Sequence, residues 1–320
     1  MRRGGFSLIE LLVAIVIMGL LLAIALPAIQ ASRKAARSTQ CRSHLKQIGA
    51  ALHNYESIHG VFPPCVSDSG SWHVSILPFI DQTPLYNLVN TSASDPTAAI
   101  NHIPIEIYFC PADAAPRVFK GDVDYAATSY LGNSGSGTSK LNYDGVFRHL
   151  ETIFPQFPDG PVGFAEITDG ASSTALVSEV LHSLGGNSTE AIRMVFNTPQ
   201  RYPFEEREAF LAECASIPAN AWQQGWRGSN LAHGWRWTQG SIGYSTYNHA
   251  LPPMQPSCFN RSDVQTGIYT AASHHRSSVH VVYCDGHVGT VSPAVDAALW
   301  RQAGSRNDFE TQDLFAAPDL

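Results

Sequence analysis

FSLIELLVAIVIMGLLLAIAL, residues 6–26, is a run of twenty-one positions broken only by Ser7, Glu10 and Gly19. As a helix rising 1.5 Å per residue it is long enough to cross roughly 30 Å of hydrocarbon. A soluble core helix of this composition would need burial on every side, because it has no polar face. Arg2 and Arg3 ahead of it, with Ala23-Ile24-Ala25 near its end, also fit an export signal that is removed with the apolar run. Glu10 argues for retention. A carboxylate within a membrane helix costs on the order of a few kcal/mol near the centre, so it marks a positively charged partner in the same low-dielectric layer. Residues 6–27 are therefore expected to be a transmembrane helix that stays on the protein.

The remainder of the 320 residues exceeds the usual domain size of roughly 100–150, with ample material for a packed core. The chain is 44% hydrophobic and 15% charged, which excludes fibrous and fully disordered classes. Twenty Lys and Arg against twenty-seven Asp and Glu give −7, and without residues 1–5, which carry Arg2 and Arg3, the balance would be −9. That balance leaves no nucleic-acid footprint. Six dispersed cysteines with no CxxC pair disfavour a structural zinc site, and they permit 15 complete pairings. Disulfides become the default only if the chain is exported. No Asp-x-Asp-x-Asp loop offers a calcium site, and neither metal nor cofactor is expected.

Beyond Pro27, residues 28–60 stay rich in helix formers, and Leu45, Ile48, Leu52 and Tyr55 fall at three- and four-residue steps, predicting one apolar stripe. Gly60 and Pro63-Pro64 end the helix. From residue 61 to 320 short extended runs take over, at 102–110, 163–168, 174–180 and 279–283. The fold class expected is α+β: a long N-terminal helix packed on a mostly antiparallel β-sheet head with long loops. Asp-Gly pairs at 144–145, 159–160, 169–170 and 285–286 suit tight turns with positive φ. With Asp285-Gly286 as a two-residue loop, Cys284 faces His287 and Tyr283 faces Val288. Val279, Val281, Tyr283 and Val288 then form the core face, with His280, Val282, Cys284 and His287 opposite. On that opposite face His280 and Cys284 stand about 13 Å apart along the strand, too far to share an ion. Residues 132–139 and 185–188 are expected to be flexible loops. A stretch at 183–256 carrying Trp222, Trp226, Trp235, Trp237, Tyr244 and Tyr247 reads as an insertion, whose aromatics either contact glycan or a partner or, more commonly, fill core beneath long loops.

Arg3-Gly4-Gly5-Phe6-Ser7-Leu8-Ile9-Glu10 resembles the type III signal of type IV pilins and pseudopilins. The resemblance implies a leader of residues 1–5, cleavage between Gly5 and Phe6 by prepilin peptidase, N-methylation of Phe6, and an assembly role for Glu10, pairing with the terminal amine of a neighbouring subunit. Pro27 matches a helix-bending proline of many pilins. The five basic residues Arg33, Lys34, Arg37, Arg42 and Lys46 after the span would favour the opposite orientation, but large C-terminal domains translocate with less regard to charge.

A second resemblance, to the planctomycete-type pilin-like family whose large extracytoplasmic domain has no assigned activity, spans residues 1 to about 292. It is carried by Cys41-Arg42-Ser43-His44-Leu45-Lys46-Gln47-Ile48, Tyr108-Phe109-Cys110-Pro111, Asp169-Gly170-Ala171-Ser172-Ser173-Thr174 with Glu179, Asn248-His249-Ala250-Leu251-Pro252-Pro253 through Cys258, and His275 followed after nine residues by Asp285-Gly286. The resemblance marks Cys41, Cys110 and Cys258 as disulfide candidates, Cys41 with Cys110 being one pairing, and Asp169, Gly170, His275, Asp285 and Gly286 as family-motif positions of mainly structural role. His275 is expected to bond backbone or Asp285. The implied protein is no enzyme: it is a pilin-like subunit, single-pass in the inner membrane, with its head in the periplasm or at the cell surface. Its partners would be the membrane, prepilin peptidase and other pilin-like subunits or copies of itself, in a type II secretion or type IV pilus-like filament, with no nucleic acid. The rivals are a non-polymerising membrane-tethered binding protein and an anchored hydrolase using His275 and Asp285.

Overall fold

The computed structural model describes residues 8–120, 123–139, 143–148, 160–183, 190–218, 220–224, 228–229, 233–261, 263–275 and 278–307. One helix, α1 (Leu8–His59), accounts for the first 52 of them, about 78 Å at 1.5 Å per residue. Residues 8–29 are exposed throughout. From Cys41 onward His44, Leu45, Ile48 and Leu52 are buried, at the spacing that keeps one face inward. Gly60 takes φ +74° and its N–H reaches Glu56 O at 2.7 Å, the left-handed stop that glycine accepts without a Cβ clash.

The head then builds in chain order. A minimal hairpin, β1 (Val66–Ser67) and β2 (Gly70–Ser71), leads into single helical turns α2 (Trp72–Ser75) and α3 (Thr83–Tyr86). A second small hairpin pairs β3 (Val118–Phe119) with β4 (Tyr125–Ala126). There follow β5 (Tyr130–Asn133), β6 (Ala175–Glu179), β7 (Val195–Asn197), α4 (Arg207–Ala215) and β8 (Gly228–Ser229). The chain continues through β9 (Thr246–Tyr247), β10 (Ser257–Asn260), β11 (Asp263–Ile268), β12 (Val279–Tyr283), β13 (Val288–Val291) and α5 (Ala297–Gly304). The central sheet runs β13-β12-β6-β5-β9 and a second sheet runs β11-β10-β7-β8. Pairing is antiparallel except for β5 with β9 and β7 with β10, so both larger sheets are mixed.

The central sheet is covered on both faces. Val177 and Val282 share a cluster with Leu45, Ile48 and Leu52 of α1, while Leu131, Val279 and Val281 pack with Tyr247 and Trp300 on the other side. With both faces covered, β6 is buried at all five positions, Ser178 and Glu179 included. Gly49 lets α1 approach β12 closely: a Cβ there would stand 2.9 Å from Val282 Cγ2. The second sheet holds its own cluster of Phe196, Phe210, Leu211 and Ile268, clamped by the Cys214–Cys258 disulfide between α4 and β10.

Several sequence expectations are corrected. Residues 102–110 form no strand: Pro104 lacks an N–H, and Glu106–Tyr108 is a 3-10 turn that directs Tyr108 Oη to His73 O at 2.7 Å. Residues 163–168 also coil, into a 3-10 turn at Phe164–Glu166, because the Glu166 carboxylate accepts from Gly163 N–H at 2.8 Å. The last hairpin is one residue out of register, since Val282 faces Val288 and Tyr283 N–H bonds His287 O, leaving a three-residue turn with Gly286 at φ +82°. His280, Val282 and Cys284 are buried against α1, so the strand side expected to lie away from the core is core as well. Gly170 has positive φ, but Gly145 and Gly160 do not; Gly145 instead packs against Gly135. Asp159 and residues 185–188 lie outside the described residues. The stretch expected to be a flexible loop at 132–139 is largely buried, and Asn133 Nδ2 donates to both Ala175 O and Gly304 O at 2.8 Å. Within 183–256, Trp237 is core and donates to Ile103 O, and β9 is a strand of the central sheet. Trp226 and the side chain of Trp222 lie outside the described residues.

Two buried imidazoles are structural ties. His73 bonds Tyr130 O at 2.9 Å and stacks on Trp72, and His249 bonds Trp300 O at 2.7 Å and stacks on Trp300. Burial pulls both down to about 3, only partly offset by those carbonyl bonds. Unfolded histidines, at about 6.5, take up protons first, so the stability from each is full above that value and is lost as pH falls toward 3. Detergent-solubilised protein should lose ~2 kcal/mol per such histidine between pH 6.5 and 5 in urea melts, and His249→Gln should flatten that dependence. In the same assay at pH 7, Gly49→Val should cost about 1–3 kcal/mol by pushing α1 off β12, whereas Gly19→Val should be near neutral.

Candidate functional site

Three separated parts of the chain meet where the end of α1 crosses the central sheet. Cys41 of α1 is bonded to Cys110, 69 residues away, with Cα atoms 5.0 Å apart. The helix side of this junction is fixed by His44 Nδ1 to Phe109 O at 2.9 Å and by Lys46 Nζ donating to Gly286 O at 2.8 Å. Tyr130 Oη donates to Cys41 O from β5. These ties hold α1 to three parts of the head, at Phe109-Cys110, Tyr130 and Gly286, which gives the Cys41 to Ile48 block a physical role. Burial lowers the pKa of His44 more than its backbone bond raises it.

Against the disulfide stand Glu179, at the end of β6, and His275, in the loop before β12. His275 Nε2 lies 3.4 Å from Cys110 Sγ and 3.3 Å from Glu179 Oε1, and Glu179 Oε1 lies 3.5 Å from Cys110 Sγ. Glu179 is 1% exposed and its Oε2 accepts from His280 N–H at 2.9 Å, so the other oxygen is turned toward the sulfur. His280 in turn bridges Ser38 Oγ on α1 and Thr290 Oγ1 on β13. Its pKa is lowered, chiefly by burial.

A second buried polar group adjoins the first and draws on the same three blocks. Asp113, whose N–H bonds Cys110 O, receives both terminal nitrogens of Arg193 at 2.6 and 2.9 Å. Arg193 also donates to Glu190 and to His182 O, and its Nη2 lies 2.6 Å from His274 Nε2. His182 sits with Nδ1 3.4 Å from Asp113 Oδ2 and its Nε2 on Pro116 O at 3.1 Å. Burial would raise Asp113, yet the Arg193 bonds and neighbouring positive charge hold it below the ordinary carboxylate range. Arg193 is raised in return, its carboxylate bonds outweighing burial. Thus Cys110 and Asp113, Glu179 and His182, and His275 and His274 each send one side chain to either group.

The expected pair of His275 with Asp285 is not formed. The two residues flank β12 at opposite ends: His275 is taken by Glu179, while Asp285 caps its own turn through His287 N–H at 3.0 Å and His287 Nδ1 at 2.7 Å. Bonds from His287 outweigh slight burial and lower the Asp285 pKa. Asp169 and Gly170 lie in a turn whose Gly170 O accepts from Ser173 and Thr174 N–H, and that turn meets the other Asp-Gly turn through Asp285 N–H on Ala171 O. Cys258 is bonded to Cys214. Glu10 lies on the exposed first part of α1, and Gly5 and Phe6 lie outside the described residues. Asp113, His182, Arg193 and His274 were not singled out from the sequence. Three of them offered a signal, being three residues past Cys110, three past Glu179 and adjacent to His275.

Residues 30–298 match the family described as "Protein of unknown function (DUF1559)", and residues 1–26 match the prokaryotic N-terminal methylation motif. The first match covers most of the chain, and the chain belongs to that family. No curated protein and no solved structure matches it.

Removing one partner of the buried Asp113–Arg193 pair leaves an uncompensated charge. Arg193→Ala or Asp113→Ala should each cost about 3–5 kcal/mol in urea denaturation of the detergent-solubilised chain. The double variant should cost less than the sum by about 1–3 kcal/mol, and Arg201→Ala, at an exposed pair with Asp263, should cost under about 1 kcal/mol.

Proposed function

We propose that this chain is a pilin-like structural subunit rather than an enzyme. Its precursor is anchored by α1 in the inner membrane with the head in the periplasm or at the cell surface. Processing frees Phe6 as a methylated N-terminus, and helix-to-helix packing then adds the subunit to a type II secretion or type IV pilus-like filament. The single observation that carries the proposal is the first part of α1: residues 8–29 are apolar and exposed, yet hold Glu10, the fifth residue after the cleavage position. An exposed apolar surface of that length is made for lipid or for like helices. Within either, a carboxylate is stable only beside a cation, and the methylated amine of an incoming Phe6 retains its charge.

The prokaryotic N-terminal methylation motif implies processing by prepilin peptidase and, with the hydrophobic helix, suggests a membrane-anchored extracytoplasmic protein. The disulfides Cys41–Cys110 and Cys214–Cys258 support that compartment, since such bonds persist where the surroundings are oxidising. Support for a non-enzymatic head comes from its thiols, as Cys65 and Cys284 are buried and burial raises both, which makes them poor nucleophiles.

Mass spectrometry of the native protein should find N-methylated Phe6 as the first residue. Glu10→Ala should leave the membrane-bound amount unchanged and reduce the sheared extracellular fraction by about tenfold or more, the scale expected when a buried charge loses its partner. Wild-type protein recovered only from membranes would favour a tethered binding protein, and an N-terminus beyond Ala25 would overturn the proposal.

A further inference from the structure

Glu179 and His275 pair with each other, and Glu179 also holds His280 N–H, yet an intact disulfide gives neither a reason to stand against it, because a disulfide sulfur carries no charge to neutralise. Nevertheless four donor atoms from four places in the sequence, Sγ of Cys41 and Cys110, Nε2 of His275 and a Glu179 oxygen, all lie within 4.8 Å of one another. A tetrahedral ion bound at about 2.3 Å to sulfur and about 2.0–2.1 Å to nitrogen and oxygen separates its donors by about 3.3 Å for nitrogen to oxygen and about 3.5–3.6 Å for sulfur to either. The corresponding separations are 3.3 Å from His275 to Glu179, 3.4 Å from His275 to Cys110 and 3.5 Å from Glu179 to Cys110. Those three edges of the tetrahedron are already in place. The sulfur-to-sulfur edge is covalent here, and opening that bond would let it widen to about 3.8 Å.

We propose that, in its dithiol form, the chain binds one thiophilic divalent cation of the zinc class through Cys41, Cys110, Glu179 and His275. The outer arrangement suits such a site. His280 N–H holds the second Glu179 oxygen, fixing the carboxylate as outer partners do for metal ligands. Cys41 and Glu179 are 0% and 1% exposed, and the His275 side chain, at 10%, provides the way in. Burial keeps the two thiols protonated until an ion binds and displaces their protons, and the ion then balances the charge of the thiolates and the carboxylate. Metal and disulfide are therefore mutually exclusive occupants of one junction, and the ion would hold α1 to the head before oxidation does. The proposal stands apart from filament assembly.

The test uses the full chain in detergent, carrying Cys214→Ser and Cys258→Ser, reduced and kept anaerobic, titrated with Co(II) and then Zn(II). Expected are one Co(II) per chain, the near-ultraviolet thiolate-to-cobalt band with the intense visible bands of a tetrahedral ion, and displacement by Zn(II). Glu179→Gln and His275→Gln, checked for folding by circular dichroism, should weaken binding by at least about 100-fold, since even outer partners of a ligand are worth 10–100-fold. As a second readout, bound Zn(II) should slow closure of Cys41–Cys110 by oxidised glutathione at least tenfold in the parent and not in His275→Gln. Three outcomes would each overturn the site: no cobalt band, a band that survives Cys41→Ser with Cys110→Ser, or folded Glu179→Gln and His275→Gln proteins that bind as the parent does.

Discussion

The contact between α1 and the central sheet is the constraint from which the rest of the molecule follows. One helix presents an exposed apolar cylinder in its first part and a single buried stripe to the head in its second. Between them Ser38 meets His280 of the head, and from Cys41 onward the head grips the helix through a buried face. Leu45, Ile48 and Leu52 provide the apolar contact with Val282 and its neighbours, and Gly49 brings the helix close enough for it to count. Polar ties from His44 and Lys46 then fix rotation and height along the sheet.

That grip explains why polar chemistry is buried where it is. The Cys41–Cys110 bond, the Glu179–His275 contact and the Asp113–Arg193 pair all lie at one crossing, where α1, the loop after residue 104, β6 and the loop before β12 converge. Buried groups of this kind tolerate few alternatives, because each satisfied partner is costly to remove. The crossing is thus tightly specified, in contrast to the Asp285 turn, whose side chain bonds within its own hairpin.

The long helix was legible because its signals are local: an unbroken apolar run, then a stripe at three- and four-residue steps, then Gly60 with two prolines. Strands β6 and β12 were legible for the same reason. Where a single tertiary bond decides the backbone, local reading fails: Glu166 folding back on Gly163 makes a turn of a segment whose composition suits a strand. The hairpin register was missed because a three-residue loop and a two-residue loop contain the same Asp-Gly pair, and both faces of β12 are buried, so alternation cannot arbitrate. The crossing itself was legible only as separate blocks. Spacing in sequence disfavoured a metal site since no two cysteines are near neighbours, yet the fold brings Cys41, Cys110, Glu179 and His275 together from across the chain. Asp113 and Arg193 carry no mark in the sequence of being partners, 80 positions apart.

The covalent link between Cys41 and Cys110 also sets how the molecule bears tension. A pull on the anchored end travels along the backbone hydrogen bonds of α1 and arrives at Cys41, the first buried residue of its head-facing stripe. There the load enters the head through a sulfur bridge rather than through side chains that could slide past one another. The helix beyond that point, with its apolar stripe, is shielded from shear, so yielding would begin in the exposed segment above the bridge while the domain beneath it keeps its shape.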